Sequence, residues 1–337
     1  LTMDDEEAKT IELTVGQLGW TLDPDALYQA ALAAVADGSY SPVTVELTAI
    51  PPDDADIQEA YQALYSEPVE PYYAGGTVHE GSNGYSLDLS AVMAQIQNAE
   101  YGQHLSIPLE ETPPEMTAEE LESKLFRDRL SSYSSAHTAN TNRTENLRLA
   151  CSAIDGTVLN SGETFSFNQT VGERTSAKGY RSATVYVGSE SVEELGGGVC
   201  QVASSLYYAA LQANLQIVER TMHMFAVSYV PIGLDATVNY GTLDMKFRNN
   251  MDYPIRIDAW AEGGTVHVRL YGSNIDGISV QMTTTTTNVY EWTTQYKLDT
   301  SLGAGYSAVT QSPSNGSRVV SFRNVYAADG TLISSTQ

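Results

Sequence analysis

Three consecutive glycines, Gly196, Gly197 and Gly198, run directly into a segment of helical character, and Cys200 falls in its first turn. Each part of that arrangement has a chemical use. Glycine lets another backbone or a substrate approach without a Cβ in the way. The free N–H groups and positive dipole end of a helix stabilise an anion, so a thiol placed there ionises more readily. The same groups can cradle the oxyanion of an acyl transfer. Cys200 is therefore a candidate nucleophile, and Gly197, Gly198 and Val199 are candidate oxyanion donors. The competing reading of Cys200 is a small, buried apolar side chain. Cys151 takes that second reading, because Leu147, Cys151 and Ile154 form one apolar stripe of a helix.

A thiolate needs a proton carrier and a group that orients it. Of the five histidines, His267 alternates with Val266 and Val268 on a strand and points to solvent, His79 and His104 lie in an acidic first region, and His137 lies in a polar loop. His223 remains, one short strand beyond the Cys200 helix, and Asp235 follows on a turn where it can orient the imidazole. Arg220 suits a substrate carboxylate, since a guanidinium fork binds carboxylates bidentately, and equally suits a structural ion pair with Glu219 or another neighbour. Tyr229 and Gln201 join Arg220 as candidate substrate contacts. No metal-ligand spacing and no nucleotide-binding glycine pattern occurs, so neither metal nor cofactor is expected.

The elements that must position these groups read as α+β. In the first region, strands are expected at Ile11 to Val15 and Val43 to Leu47, with helices opened by Asp23-Pro24 and Asp54 and a third over Leu89 to Ile96. Pro113-Pro114 marks a boundary, and the capping box Thr117 to Glu120 opens a helix expected to reach Leu130, followed by a polar loop or extended chain to Asn142. A helix from about Thr144 ends at Gly156 and another spans Val199 to Asn214. Strands are expected at Thr164 to Asn168, Ala183 to Val187, Phe225 to Val230 and Asp244 to Arg248, then a hairpin over Pro254 to Gly272 that turns at Gly263-Gly264. Short strands follow from Asn274 onward.

Charge divides the chain in the same place. Residues 1–122 hold 24 acidic residues against one lysine, Lys9, and carry −23 of the total −25. A region with a single base cannot neutralise phosphates, so nucleic acid is excluded as its partner, and anionic lipid would repel it. At 42% hydrophobic and 18% charged residues, the chain has a globular composition. There is no run of ~18 apolar residues, and the acidic start does not read as a signal peptide, so a soluble portion trimmed of a leader or anchor is expected.

Several stretches together resemble one family. Asn146-Leu-Arg-Leu-Ala150, Gly162-Glu-Thr-Phe-Ser-Phe-Asn168, Gly172-Glu-Arg-Thr175, Gly196 to Val202, Glu219-Arg220, His223, Asp235-Ala-Thr-Val238 and Tyr240-Gly241 are similar to the VanW domain over about Arg143 to Gly272. Leu234 departs from that pattern, standing where an arginine is frequent, as do Met224 in place of serine and Ser161 in place of proline. If that arginine binds substrate, Arg220 or Arg248 must serve instead. The first ~115 residues resemble the peptidoglycan-binding domain that often precedes VanW domains, and the tail resembles a G5-like β extension. The resemblance implies three parts: 1–116 acidic α+β, 117–275 a mostly antiparallel VanW domain with a few helices, and 276–337 a β extension. It further implies work on peptidoglycan stem peptides outside the cytoplasmic membrane, in a family named for its association with vancomycin-resistance clusters. Some VanW-domain proteins act as cysteine L,D-transpeptidases, and Cys200 is the cysteine that matches. A cysteine carboxypeptidase or endopeptidase on the same stems, and a non-catalytic wall-binding protein, are the rival readings.

Overall fold

The computed structural model describes residues 10–16, 19–38, 42–50, 55–187, 190–303, 305–309 and 313–337. It is a mixed α+β protein with antiparallel sheets and seven α-helices among the described residues. The chain divides into two compact units, one of residues 1–71 and 79–118, the other of residues 72–78 and 119–337.

The first unit is built on a small core of Ile11, Val15, Val92, Ile96 and Ile107. Strand Thr10–Thr14 pairs antiparallel with His104–Pro108. Helix α1 (Pro24–Ala36) starts where expected, with the Asp23 carboxylate accepting from the N–H groups of Asp25 and Ala26. Its apolar stripe nevertheless stays out of the core, and Leu27, Leu32 and Val35 are all exposed. Helices α2 (Ala55–Leu64) and α3 (Leu89–Asn98) follow, α3 capped by Asp88. The expected start of α2 at Asp54 lies outside the described residues. Val43 to Leu47 forms no ladder among the described residues, and Thr48–Ile50 pairs with Gly19–Thr21 instead.

The second unit carries the larger core and the candidate site. Its four-stranded antiparallel sheet runs in the order Val158–Leu159, Ile255–Glu262, Thr265–Gly272, Asp128–Ala136. Helix α4 (Ala118–Lys124) stops six residues short of the expected end, and the chain turns through Phe126 into that last strand, an edge of the sheet. The hairpin closes at Gly263-Gly264, both at positive φ, a conformation glycine adopts without strain. A three-stranded sheet (Thr164–Ser166, Lys246–Arg248, Gln216–Glu219) and the hairpin Ser182–Val187/Glu190–Leu195 complete the frame. Phe167 and Asn168, expected to end the strand from Thr164, instead open the short helix α6 (Phe167–Val171).

Helices α5 (Thr141–Ile154) and α7 (Val199–Gln212) pack on the sheets and on each other. The core between them contains Leu147, Ile154, Phe165, Phe167, Leu206, Phe247, Ile257 and Leu270, each at most 1% exposed. Burying a side chain of this size contributes about 1.5–3 kcal/mol, so α7 is fixed by its apolar face and its N-terminus is held in place by the core behind it. The tail is a three-stranded sheet of Ser279–Tyr290, Gly316–Tyr326 and Leu332–Thr336, with two strands longer than expected. Among the described residues, no helix is long and apolar enough to cross a membrane.

Candidate active site

The site assembles around the start of α7. Gly198, at φ +108°, serves as its N-cap with no side chain to close the turn. The hairpin before it is clasped by Asn146 of α5, which is fully buried: its amide donates to the carbonyls of Arg181 and Gly197 at 2.8 and 3.0 Å, and its oxygen accepts from Arg181 N–H at 2.8 Å. Cys200 is thus presented by a helix whose first turn is pinned from outside.

Two later segments close over it. Thr221 and Thr237 form an antiparallel bridge, with Thr237 N–H donating to the Thr221 carbonyl at 2.8 Å. This bridge carries Val238 and Thr237 to the thiol, where the Val238 N–H lies 3.5 Å and the Thr237 hydroxyl 3.7 Å from Sγ. It also places His223 beside Asp235. The Asp235 carboxylate oxygen Oδ2 accepts from the backbone N–H of His223 at 2.7 Å and from its Nδ1 at 2.6 Å. With Nδ1 committed there, Nε2 is the ring nitrogen left for the Cys200 thiol and for the Tyr229 hydroxyl at 3.4 Å.

The electrostatics follow from those contacts. Burial by itself would raise the Cys200 thiol, but the hydrogen bond and charge of His223, with the donors at Val238 and Thr237, outweigh it and hold the thiol below its ordinary value. Burial would lower His223, yet hydrogen bonds to Asp235 and Cys200 raise it to about 9. Burial pushes Asp235 up, but His223 and Arg220 bring it below the usual carboxylate range. The three groups therefore favour thiolate, imidazolium and carboxylate together. Cys151 is the contrast: 1% exposed, with burial pushing its thiol up to about 12.

One consequence is open to direct measurement. The rate of Cys200 alkylation by iodoacetamide, followed by peptide mass spectrometry, should rise with a midpoint below pH 9.0, while Cys151 stays unmodified in the folded protein. The imidazolium persists until the pH passes about 9, so a rate that needs His223 as an acid should fall as pH rises through that value. A Cys200 midpoint at or above the ordinary thiol value would contradict this geometry.

The structure brings Cys200, His223, Asp235 and Tyr229 together, corrects the roles expected of Gly197, Val199 and Gln201, and gives Arg220 the structural one of its two expected readings, an ion pair with Asp235 at 3.4 Å. Gly197 N–H is spent on the Glu194 carbonyl and Val199 N–H on the Gly196 carbonyl, because both belong to the tight turn that launches the helix. The N–H groups of Gly198 and Cys200 are the ones without an acceptor among the described residues. Gln201 is 1% exposed and faces inward: its amide donates to Ser135 and to the Ala136 carbonyl, and its oxygen accepts from Arg143. Arg220 lies over the Tyr207 ring and donates to the carbonyls of Asp235 and Gly233 at 2.7 and 2.9 Å, so it positions the Asp235 turn. Glu219 pairs with Lys246 instead. Arg248 is engaged with the Gly162 carbonyl on the far strand. Phe225 to Val230, expected as a strand, is an irregular loop, anchored where Tyr133 donates to the Tyr229 carbonyl. His267 stacks on Trp260 at 4.9 Å and bonds to Ser134.

Sequence reasoning missed Ser204 and Arg143. Ser204 Oγ exchanges hydrogen bonds of 2.9 Å with both the carbonyl and the N–H of Ala236, which holds the segment after Asp235 against α7. Arg143 lies on α5 three residues before Asn146, on the same helix face, and reaches the same glycine turn. That spacing was the available signal.

The family model described as VanW like protein matches residues 142–271, the stretch that holds Cys200, His223, Tyr229 and Asp235. The chain is 38% identical over 224 residues to the uncharacterized protein YoaR of Bacillus subtilis, an alignment covering 65% of this chain and 74% of that relative. The chain belongs to the VanW-like family. It is also 26% identical over 176 residues to the Vancomycin B-type resistance protein VanW of Enterococcus faecalis, covering 49% of this chain and 64% of that one. No solved structure matches. In VanW-like terms, Cys200, His223 and Asp235 all sit inside the shared domain, whereas most of the acidic first unit and the C-terminal sheet lie outside it.

Proposed function

We propose that this VanW-like protein is a cysteine acyltransferase acting on peptidoglycan stem peptides at the outer face of the cytoplasmic membrane or in the wall, in its sharpest form an L,D-transpeptidase. The observation that carries the reading is the Asp235–His223–Cys200 chain of contacts, with the thiol at a helix N-terminus and held below its ordinary value by its partners. The enterococcal relative is named for resistance to vancomycin, an antibiotic directed at the wall, which supports the choice of substrate.

In the proposed reaction the Cys200 thiolate attacks the carbonyl of the third, diamino-acid residue of a stem tetrapeptide, forming a C–S bond. The C–N bond to the terminal D-alanine breaks, and its amine leaves with the proton supplied by His223. The side-chain amine of a second stem then attacks the thioester, gives its proton to His223 and releases the thiolate, leaving a 3–3 cross-link. The N–H groups of Gly198 and Cys200, without an acceptor among the described residues, would hold the oxyanion in both steps. The acidic first unit is assigned to spacing or wall contact.

The test is incubation of the protein with tetrapeptide muropeptides, followed by mass spectrometry of both protein and products. An acyl adduct on the peptide containing Cys200 with cross-linked dimers is the expected result. Trimmed monomers without dimers would make water the acceptor, and unchanged muropeptides without an adduct would remove the enzyme reading altogether.

A further inference from the structure

We propose that Arg143 and Arg174 form a receptor for the free α-carboxylate of the residue that follows the scissile bond, so that acyl donors are peptides ending one residue beyond the attacked carbonyl. The inference deepens the reading of Cys200 as nucleophile and rests on it for the position of that bond.

The two arginines occupy the two ends of the glycine turn. A Cβ built on Gly196 would lie 2.9 Å from Arg174 Cβ, and one built on Gly198 would lie 3.0 Å from Arg143 Cγ and 3.3 Å from its Nη1. The stems of both side chains therefore rest directly on the outer glycines, next to the residue pair Val199-Cys200. Neither arginine has a carboxylate within 4.0 Å among the described residues, whereas Arg127, Arg148, Arg220 and Arg256 all do.

Each guanidinium is also held in place by one neutral partner, which orients it without neutralising it. Arg143 donates one N–H to the Gln201 oxygen at 2.9 Å, and the Gln201 amide is itself fixed on Ser135 and Ala136. Arg174 donates Nη1 to the Asn168 oxygen at 2.7 Å and lies over the Phe167 ring, while its Nη2 is buried with no acceptor. A buried guanidinium N–H without an acceptor costs free energy that an anionic ligand would recover. The charges facing Arg174 include the Cys200 thiolate, so this cation lies in the field of the reacting centre, along with Tyr180, Asp244 and Tyr240.

With no carboxylate within 4.0 Å of either guanidinium among the described residues, these two charges remain available to a ligand anion. A peptide's terminal carboxylate lies within one residue, about 3.8 Å between Cα atoms, of the amide before it. It can thus reach this pair while its carbonyl oxygen takes the free N–H groups of Gly198 and Cys200. Guanidinium forks bind carboxylates bidentately, and this accounts for an arginine function in a chain where Leu234 replaces the family's frequent arginine.

The test is calorimetric binding to the Cys200→Ala protein, with a stem tetrapeptide ending in D-alanine as one probe and its C-terminal amide as the other. The free acid should bind at least tenfold more tightly than the amide. Arg143→Gln should remove that preference without changing the affinity for the amide, and Arg143→Lys should restore part of it. Arg174→Gln should act in the same direction, but the acid-to-amide comparison on unaltered arginines decides the matter whether or not that variant folds. Equal affinity for the two probes, or binding of neither, overturns the receptor. Acylation of wild-type Cys200 separates the two inferences: equal adducts from acid and amide leave the nucleophile standing and remove the receptor. Selective binding of the acid with no adduct does the reverse.

Discussion

Alanine at Cys200 is expected to abolish adduct formation and turnover of stem peptides outright, and alanine at His223 to lower kcat/KM by about 10²–10⁴. Both changes remove reacting groups and leave the scaffold in place. Cys200 is only partly buried, and its Sγ contacts are the weak ones to Thr237 and Val238. The core behind α7 is untouched by either substitution, so far-UV spectra and melting temperatures should stay close to those of the wild type. Cys151→Ala reverses this pattern. It empties a fully packed position on α5, costs stability, and leaves Cys200 acylation unchanged per folded molecule.

The loss at His223 comes from two sources that can be separated. Without the imidazole the thiol keeps its burial but loses the partner that most lowers it, so the Cys200 alkylation midpoint should move up. The departing amine also loses its proton donor, a cost that higher pH cannot restore. Steady-state rates of the His223→Ala variant should therefore remain depressed even where its thiol is fully ionised. A variant that recovers wild-type rates at high pH would confine His223 to setting the thiol's charge.

The helices were legible because their signals are local. Asp23 caps as its residue type dictates, and the stripe Leu147, Cys151, Ile154 is buried as its spacing requires, whereas α5 starts at Thr141, three residues before the expected Thr144, under a cap by Asn140 in what was expected to be a polar loop. The edge strand Asp128–Ala136 was hidden for a physical reason. Its inward residues are Ser131, Tyr133 and Ser135, and the two serines face α7 through hydrogen bonds to the Ala209 carbonyl and Ser205, which leaves Tyr133, edge-on to Tyr208, as the one large side chain of the three. A strand that meets a close helix with serines carries no apolar alternation to read. The candidate site was legible in type but not in detail. The helix-start cysteine, the histidine and the aspartate follow from chemistry, whereas which N–H groups stay free depends on a turn whose hydrogen bonds only coordinates reveal. Arg220 and Gln201 illustrate the same limit: both are polar groups near the site, and both are consumed in positioning it.

Of the three glycines in the turn before α7, Gly197→Ala is expected to be the most damaging, and for a reason distinct from its neighbours. Gly197 is buried and its φ lies outside the left-handed region, so the backbone alone would accept alanine. The obstacle is steric: the new Cβ would lie 2.3 Å from the Ala183 carbonyl oxygen and 2.6 Å from its carbon, atoms that cannot rotate away. Either the Ser182–Val187 strand or the turn must move, and the turn is held by Asn146 and by the Gly197 N–H to Glu194. Overpacking against fixed backbone costs about 3 kcal/mol or more, a fall in Tm of roughly 10 °C for a unit of this size. Gly156→Ala is the matched control, with φ +74° but nothing within 4 Å, and should cost only about 1 kcal/mol. Any Gly197→Ala protein that still folds should show slowed Cys200 alkylation, since the displaced turn is the one that launches α7. Equal melting temperatures for the two variants would mean that the close approach of this turn to Ala183 does not exist in solution.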